Sequence, residues 1–169
     1  CGQAPVGRQW FSLTFRDPDE RWRGVNKAAP ILNQFLDAEL ERRKLPPSAL
    51  ALVGFSQGTM MALHVGLRRA VPPAAIVGYS GIFVLPEKAK ADAVAGEIKS
   101  KPPVLLIHGD QDENVPVAQT LAMEEALRTH GKDVETFIVH SGTHFFTEQQ
   151  NALARRKLFD FLRRHLNRS

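Results

Sequence analysis

Ala49-Leu50-Ala51-Leu52-Val53-Gly54-Phe55-Ser56-Gln57-Gly58 is an apolar run that stops at a Gly-x-Ser-x-Gly pentad. A strand that turns sharply into a helix holds its apex residue in a strained backbone conformation. Glycine two positions before and two after that apex lets strand and helix pack closely. Ser56 occupies the apex, so its hydroxyl is expected to project above a sheet as a nucleophile. The N–H of Gln57 then falls at a helix N-terminus, where it can donate to a developing oxyanion and where the helix dipole favours negative charge. Chance produces the pentad only about 0.03 times in a chain with 12 glycines among 169 residues. Downstream, Met60, Leu63, His64 and Leu67 recur at helical spacing, which completes a strand–elbow–helix unit.

Outward from this unit, buried strands are expected over Leu50–Phe55, Ala74–Tyr79, Val104–His108 and Val134–Val139. Helical patterns lie between them. Val25, Ala28, Ile31, Leu32, Phe35, Leu36 and Leu40 share one face of a helix that ends before Pro46-Pro47. Val117, Leu121, Glu124 and Leu127 mark another, closed by Gly131. A shorter helix is expected over Glu87–Ile98, and Leu153, Leu158, Phe161, Leu162 and Leu166 define the last. Alternating helices and continuously apolar strands imply an α/β fold with a mostly parallel sheet and helices on both faces, within one domain over 1–169. Leu50–Phe55 is apolar on both faces, as a central strand would be, yet residues 1–24 read as a loop carrying aromatics rather than a pair of strands. An uncovered central edge is an aggregation hazard. An N-terminal portion of the sheet is therefore expected to precede Cys1.

Composition narrows the function classes. A chain of 169 residues can bury about 70% of the surface its unfolded form exposes, so it needs no disulfides. Its single cysteine, Cys1, cannot form an internal bridge and offers no metal-site spacing, which favours a reducing, cytoplasmic setting. No apolar run reaches the roughly 18 residues of a membrane span, and the first residues do not read as a signal peptide. The net charge of +4 resides partly in clusters such as Arg42-Arg43-Lys44 and Arg163-Arg164, on or at the ends of expected helices. Without interleaved aromatics to stack bases, these read as solvated faces rather than a nucleic-acid surface.

Serine at its ordinary pKa is a poor nucleophile and needs a base, itself oriented by an acid. In this topology both belong on loops after later strands, in the order Ser, Asp, His. The segments His108-Gly109-Asp110-Gln111-Asp112-Glu113-Asn114-Val115-Pro116 and His140-Ser141-Gly142-Thr143-His144-Phe145-Phe146 stand in those places. Asp110, Asp112 and Glu113 are all candidates for the acid. Asp112 is preferred because it lies mid-loop, whereas Asp110 is expected to cap the turn after Gly109. His144, in a glycine-containing loop, is preferred as base over His140 at a strand end. His64, His108, His130 and His165 read as structural.

Gly-Phe-Ser-Gln-Gly, His-Gly-Asp-Gln-Asp-Glu-Asn-Val-Pro and a histidine loop before an amphipathic terminal helix together resemble the phospholipase/carboxylesterase family of α/β-hydrolases, which includes the acyl-protein thioesterases. Trp10-Phe11 looks like that family's aromatic loop, and Gly78-Tyr79-Ser80-Gly81 like its strand end after the nucleophile helix. The resemblance implies Ser56 as nucleophile, Asp112 as acid, His144 as base and the Gln57 N–H in the oxyanion hole. It implies hydrolysis of carboxylic esters or thioesters without metal or organic cofactor. It also implies a His-Gly-x-Gly loop, upstream of Cys1, carrying a second oxyanion donor. One departure is that Gly142 stands one residue earlier than the family's glycine before the histidine. Trp10, Phe11, Phe83, Phe145 and Phe146 are candidate acyl-pocket walls, with core packing as the alternative for each. The expected reading is a serine carboxylesterase acting on a small ester or lipid-like acyl substrate. A lysophospholipase or acyl-protein thioesterase, a non-catalytic binding module, and a homodimer remain open alternatives.

Overall fold

The computed structural model describes residues 2–3, 8–14 and 16–166; the expectation resting on Cys1 lies outside them. Two short strands, β1 (Gly2–Gln3) and β2 (Arg8–Gln9), pair antiparallel. The N-terminal stretch, read from sequence as loop, thus holds a minimal ladder, too short to leave a period-2 pattern. The following elements are α1 (Glu20–Arg43), β3 (Ala51–Phe55), α2 (Gln57–Gly66), β4 (Ala75–Tyr79), β5 (Val104–Gly109), α3 (Val117–Thr129), β6 (Val134–Val139) and α4 (Glu148–Leu166). The four longer strands form one parallel sheet in the order β3-β4-β5-β6.

Alternate residues of β4 and β5 enter two cores, which is why these two strands read as nearly unbroken apolar runs, whereas β3 and β6 flank them with one face partly open. Leu52, Ile76, Val104, Leu106 and Val134 meet α1, α2 and α3 on one face. Ala75, Val77, Leu105, Ile107 and Val139 meet Ala154 and Phe161 of α4 on the other. The uncovered edge expected for the first strand is present among the described residues. In this structure β3 is an edge strand: Leu52 is buried, while Val53 and Phe55 on the opposite face are 52% and 44% exposed.

The helices also differ in detail from the sequence reading. In α1 the buried residues are Val25, Ala28 and Leu36, whereas Ile31 and Phe35, at the margin of the same face, are exposed. In α3 the buried residues are Thr120, Met123 and Leu127, with Leu121 exposed. The segment expected as a helix over 87–98 holds only a 3-10 turn, Ala91–Glu97, bounded by extended residues. Gly131 does close α3, with φ +65° and its N–H donating to the Arg128 carbonyl.

Candidate active site

Between β3 and α2, Ser56 adopts φ 53° and ψ −114°, a conformation costing a non-glycine residue on the order of 1–3 kcal/mol. Backbone bonds hold it there. The Ser56 N–H donates to the Tyr79 carbonyl at 2.8 Å, and the Ser56 carbonyl accepts from Thr59 and Met60 at 3.0 and 3.2 Å. Sequence reasoning missed the wedge beneath this turn, Thr59. It is fully buried, and its hydroxyl lies 2.9 Å from the Gly54 carbonyl and 2.8 Å from the Tyr79 carbonyl. Gly78 and Gly81 make room for it: a Cβ at either would come within 2.5 Å of Thr59 side-chain carbon. The signal available in the sequence was that pair of glycines at the end of β4.

The two elbow glycines prove unequal. A Cβ on Gly54 would lie 2.3 Å from the carbonyl carbon and oxygen of Gly58, whereas a Cβ on Gly58 meets nothing within 4 Å. Close strand–helix packing therefore accounts for Gly54 alone. Gln57 begins α2, and among the described residues no acceptor is bonded to its N–H. Its side chain has a task the sequence did not suggest: Oε1 accepts the backbone N–H of Trp10 at 3.0 Å and Nε2 donates to the Phe11 carbonyl at 2.9 Å. The aromatic N-terminal segment is thereby pinned to the first residue of the elbow helix.

The loops after β5 and β6 bring Asp112 and His144 together, with Asp112 Oδ2 2.8 Å from His144 Nδ1, both residues buried. Because the carboxylate only accepts, Nδ1 carries a proton, which in the neutral imidazole leaves the lone pair on Nε2. The other carboxylate oxygen, Oδ1, accepts the N–H groups of Asn114 and Val115, each at 2.9 Å. Burial pushes the Asp112 carboxyl up, but the N–H of Val115, the bond to His144 and the N–H of Asn114 outweigh it and leave it below the ordinary aspartate value. Glycine permits the two loops to touch: a Cβ on Gly109 would lie 2.1 Å from the Gly142 carbonyl oxygen, which accepts the Gln111 N–H at 2.9 Å. The His144 ring lies 5.0 Å from the ring of Phe55, the residue before Ser56, and 5.1 Å from that of Phe145.

The rival candidates form a pair of their own. Asp110 Oδ2 lies 2.9 Å from His140 Nδ1, and the His140 side chain is 92% exposed. Asp110 thus bonds across to the next loop instead of capping its turn, because the β5–β6 register sets Gly109 against Val139 and their following residues side by side. Glu113 is exposed.

The candidate pocket aromatics scatter. Trp10, Phe11 and Phe83 pack against the core shared by α1, α2 and α3. Phe83 also lines a cavity of about 960 Å³ with Leu67, Ile82, Met123 and Leu127, whose lining includes none of Ser56, Asp112 or His144. Phe145 is 71% exposed, with its ring beside those of Phe55 and His144. Phe146 packs into the α4 core, its ring 6.5 Å from that of Tyr79. Among the described residues, no group of three or more His, Cys, Asp or Glu side chains is placed to hold a metal ion.

Residues 2–163 match the phospholipase/carboxylesterase family. The chain belongs to that family. It is 30% identical over 141 residues to the esterase YpfH of Escherichia coli (strain K12), covering 83% of this chain and 57% of that protein. It is 32% identical over 109 residues to acyl-protein thioesterase 1 of Schizosaccharomyces pombe, covering 63% and 47% respectively. The crystal structure of esterase PE8 superposes with a TM-score of 0.83 at 39% identity, over 96% of this chain and 74% of that one. This family member thus has an α/β-hydrolase fold and spans about half the length of the curated relatives it matches. None of its described helices is long and apolar enough to cross a membrane.

Proposed function

We propose that the protein containing this chain is a serine hydrolase that cleaves carboxylic esters through an acyl-enzyme on Ser56. The observation that carries the reading is the buried Asp112–His144 hydrogen bond, on loops at the same end of the sheet as the strained Ser56. His144 Nε2 takes the Ser56 hydroxyl proton as Oγ bonds to the acyl carbon. The carbonyl oxygen, now an anion, meets the unoccupied N–H of Gln57 at the start of α2. The imidazolium, stabilised by Asp112, returns the proton to the departing alkoxide, and water then repeats the cycle to release the acid.

Relatives named as esterase and acyl-protein thioesterase support a range extending to thioesters. A fluorophosphonate should label Ser56 in the intact protein, and Ser56→Ala should abolish hydrolysis of nitrophenyl esters while leaving the fold unchanged. An unlabelled Ser56 in folded, intact protein would refute the reading. Parallel series of nitrophenyl esters and acyl thioesters of increasing length separate a short-chain carboxylesterase from a lysophospholipase or protein thioesterase.

A further inference from the structure

Between α3 and the segment that joins β4 to β5 lies the cavity of about 960 Å³ that none of Ser56, Asp112 and His144 lines. Its volume falls in the upper part of the range of small-molecule sites, roughly 300–1,000 Å³. Leu67, Ile82, Phe83, Met123 and Leu127 give it an apolar wall. Lys90, Lys101 and Lys132 also line it, and among the described residues none of the three is in an ion pair. The carboxylates of the joining segment are engaged elsewhere: Asp92 with His130 at 3.0 Å, Glu97 with Arg68 at 2.7 Å and Glu87 with Lys88 at 3.3 Å. Glu125 is the single carboxylate in the lining. The Lys101 ammonium lies 3.8 Å from where a Cβ on Gly131 would sit, and the Lys132 ammonium donates to the Ser100 carbonyl at 3.3 Å. Each ammonium thus stands beside the other's neighbour in the chain. Burial and the Lys101 charge hold Lys132 below the ordinary lysine pKa, the mark of a cation without a counter-charge.

We propose that this cavity is a second binding site, for a single-chain amphiphile with a carboxylate head: the chain lies along the apolar wall and the carboxylate accepts from Lys101 and Lys132. Two ammonium groups held close together with no acid between them repel each other, and an anion bound to both relieves that repulsion. A carboxylate offers one oxygen to each. The methylene stems of the lysines extend the apolar wall while their heads stay wet, which suits a ligand that is apolar along its length and charged at one end. A cationic amphiphile would meet three ammonium groups and one carboxylate, and an uncharged one would leave the repulsion in place. The cavity shares no lining residue with the proposed nucleophile, acid and base, so the inference goes beyond ester hydrolysis and stands whether or not Ser56 is the nucleophile.

The test is isothermal titration of the intact protein with octanoate, decanoate and dodecanoate, each below its micelle-forming concentration. Affinity should rise about fourfold for each added methylene as the chain fills the apolar cavity. Dodecyltrimethylammonium, with the same chain and the opposite charge, should bind at least about tenfold more weakly than dodecanoate. Lys101→Gln/Lys132→Gln should weaken dodecanoate about tenfold, the combined effect of two partly exposed ion pairs. Ala126→Phe, which projects a ring from α3 into the cavity, should abolish dodecanoate binding and leave nitrophenyl acetate hydrolysis unchanged. Dodecanoate binding that persists undiminished in folded Ala126→Phe places the ligand elsewhere, the Ser56 site included, and overturns the proposal. An affinity for dodecyltrimethylammonium that matches the affinity for dodecanoate overturns it equally, as does the absence of dodecanoate binding to the wild type. Should Ala126→Phe fail to fold, the lysine variant decides: dodecanoate held as tightly as by the wild type refutes the site.

Discussion

Replacing the elbow glycines one at a time by alanine should give opposite results. At Gly54 the added methyl would sit 2.3 Å from the Gly58 carbonyl carbon and oxygen and 2.4 Å from the Thr59 nitrogen. Ordinary carbon contacts lie near 3.5–4.0 Å, so the first turn of α2 must retreat from β3 by roughly 1 Å or more. The obstructing atoms are backbone, so no rotamer change can relieve the overlap. Overpacking of this kind costs about 1–3 kcal/mol, which in a domain of this size lowers the melting temperature by roughly 2–12 °C. The same retreat carries Ser56 and the Gln57 N–H with it, and a displacement of about 1 Å costs on the order of 10²-fold in rate. Gly58 has no positive φ and open space where its Cβ would be, so Gly58→Ala should leave stability unchanged or raise it by up to about 1 kcal/mol through helix propensity. Thermal melts and nitrophenyl ester hydrolysis on both variants provide the measurement. A Gly58→Ala variant as damaged as Gly54→Ala, or a Gly54→Ala variant with wild-type activity, would show that the packing argument is wrong.

Other outcomes follow from the loops and cores. Asp112→Asn should reduce kcat by about 10⁴-fold through loss of the His144 tautomer, whereas Asp110→Asn, in the exposed pair with His140, should change activity less than about twofold; steady-state kinetics on the two variants decides. His64, 2% exposed and beside Trp22 and Arg68, has its pKa lowered from 6.5 to about 4, by burial first and the Arg68 charge second. The folded state therefore binds fewer protons there than the unfolded state. The associated stability is complete above pH 6.5 and lost as pH falls toward 4, so urea titrations should show a shallower acid decline in His64→Leu. Phe161→Ala, which empties the centre of the α4 core, should cost about 3–5 kcal/mol, measured by the urea midpoint.

The α/β class and the four parallel strands were legible from local pattern, because strands buried on both faces, as β4 and β5 are, must be largely apolar and the helices between strands must carry their own stripe. The elbow was legible for the same reason: Gly54, Ser56 and Gly58 lie within five residues, and the strained turn is a local event. The weaker expectations failed where neighbours settle the outcome. Ile31, Phe35 and Leu121 fit a helical period but are left exposed where no neighbouring element covers them, and Phe146 joins the α4 core beside Tyr79. No local pattern could show that Asp112 bonds His144 while Asp110 bonds His140. That choice arises from parallel register and from the backbone contact of Gly109 with Gly142, residues 33 positions apart in the chain. The elbow and the N–H groups of Asn114 and Val115 that hold Asp112 are set by nearby residues, whereas His144 reaches the same carboxylate only when β5 and β6 lie side by side.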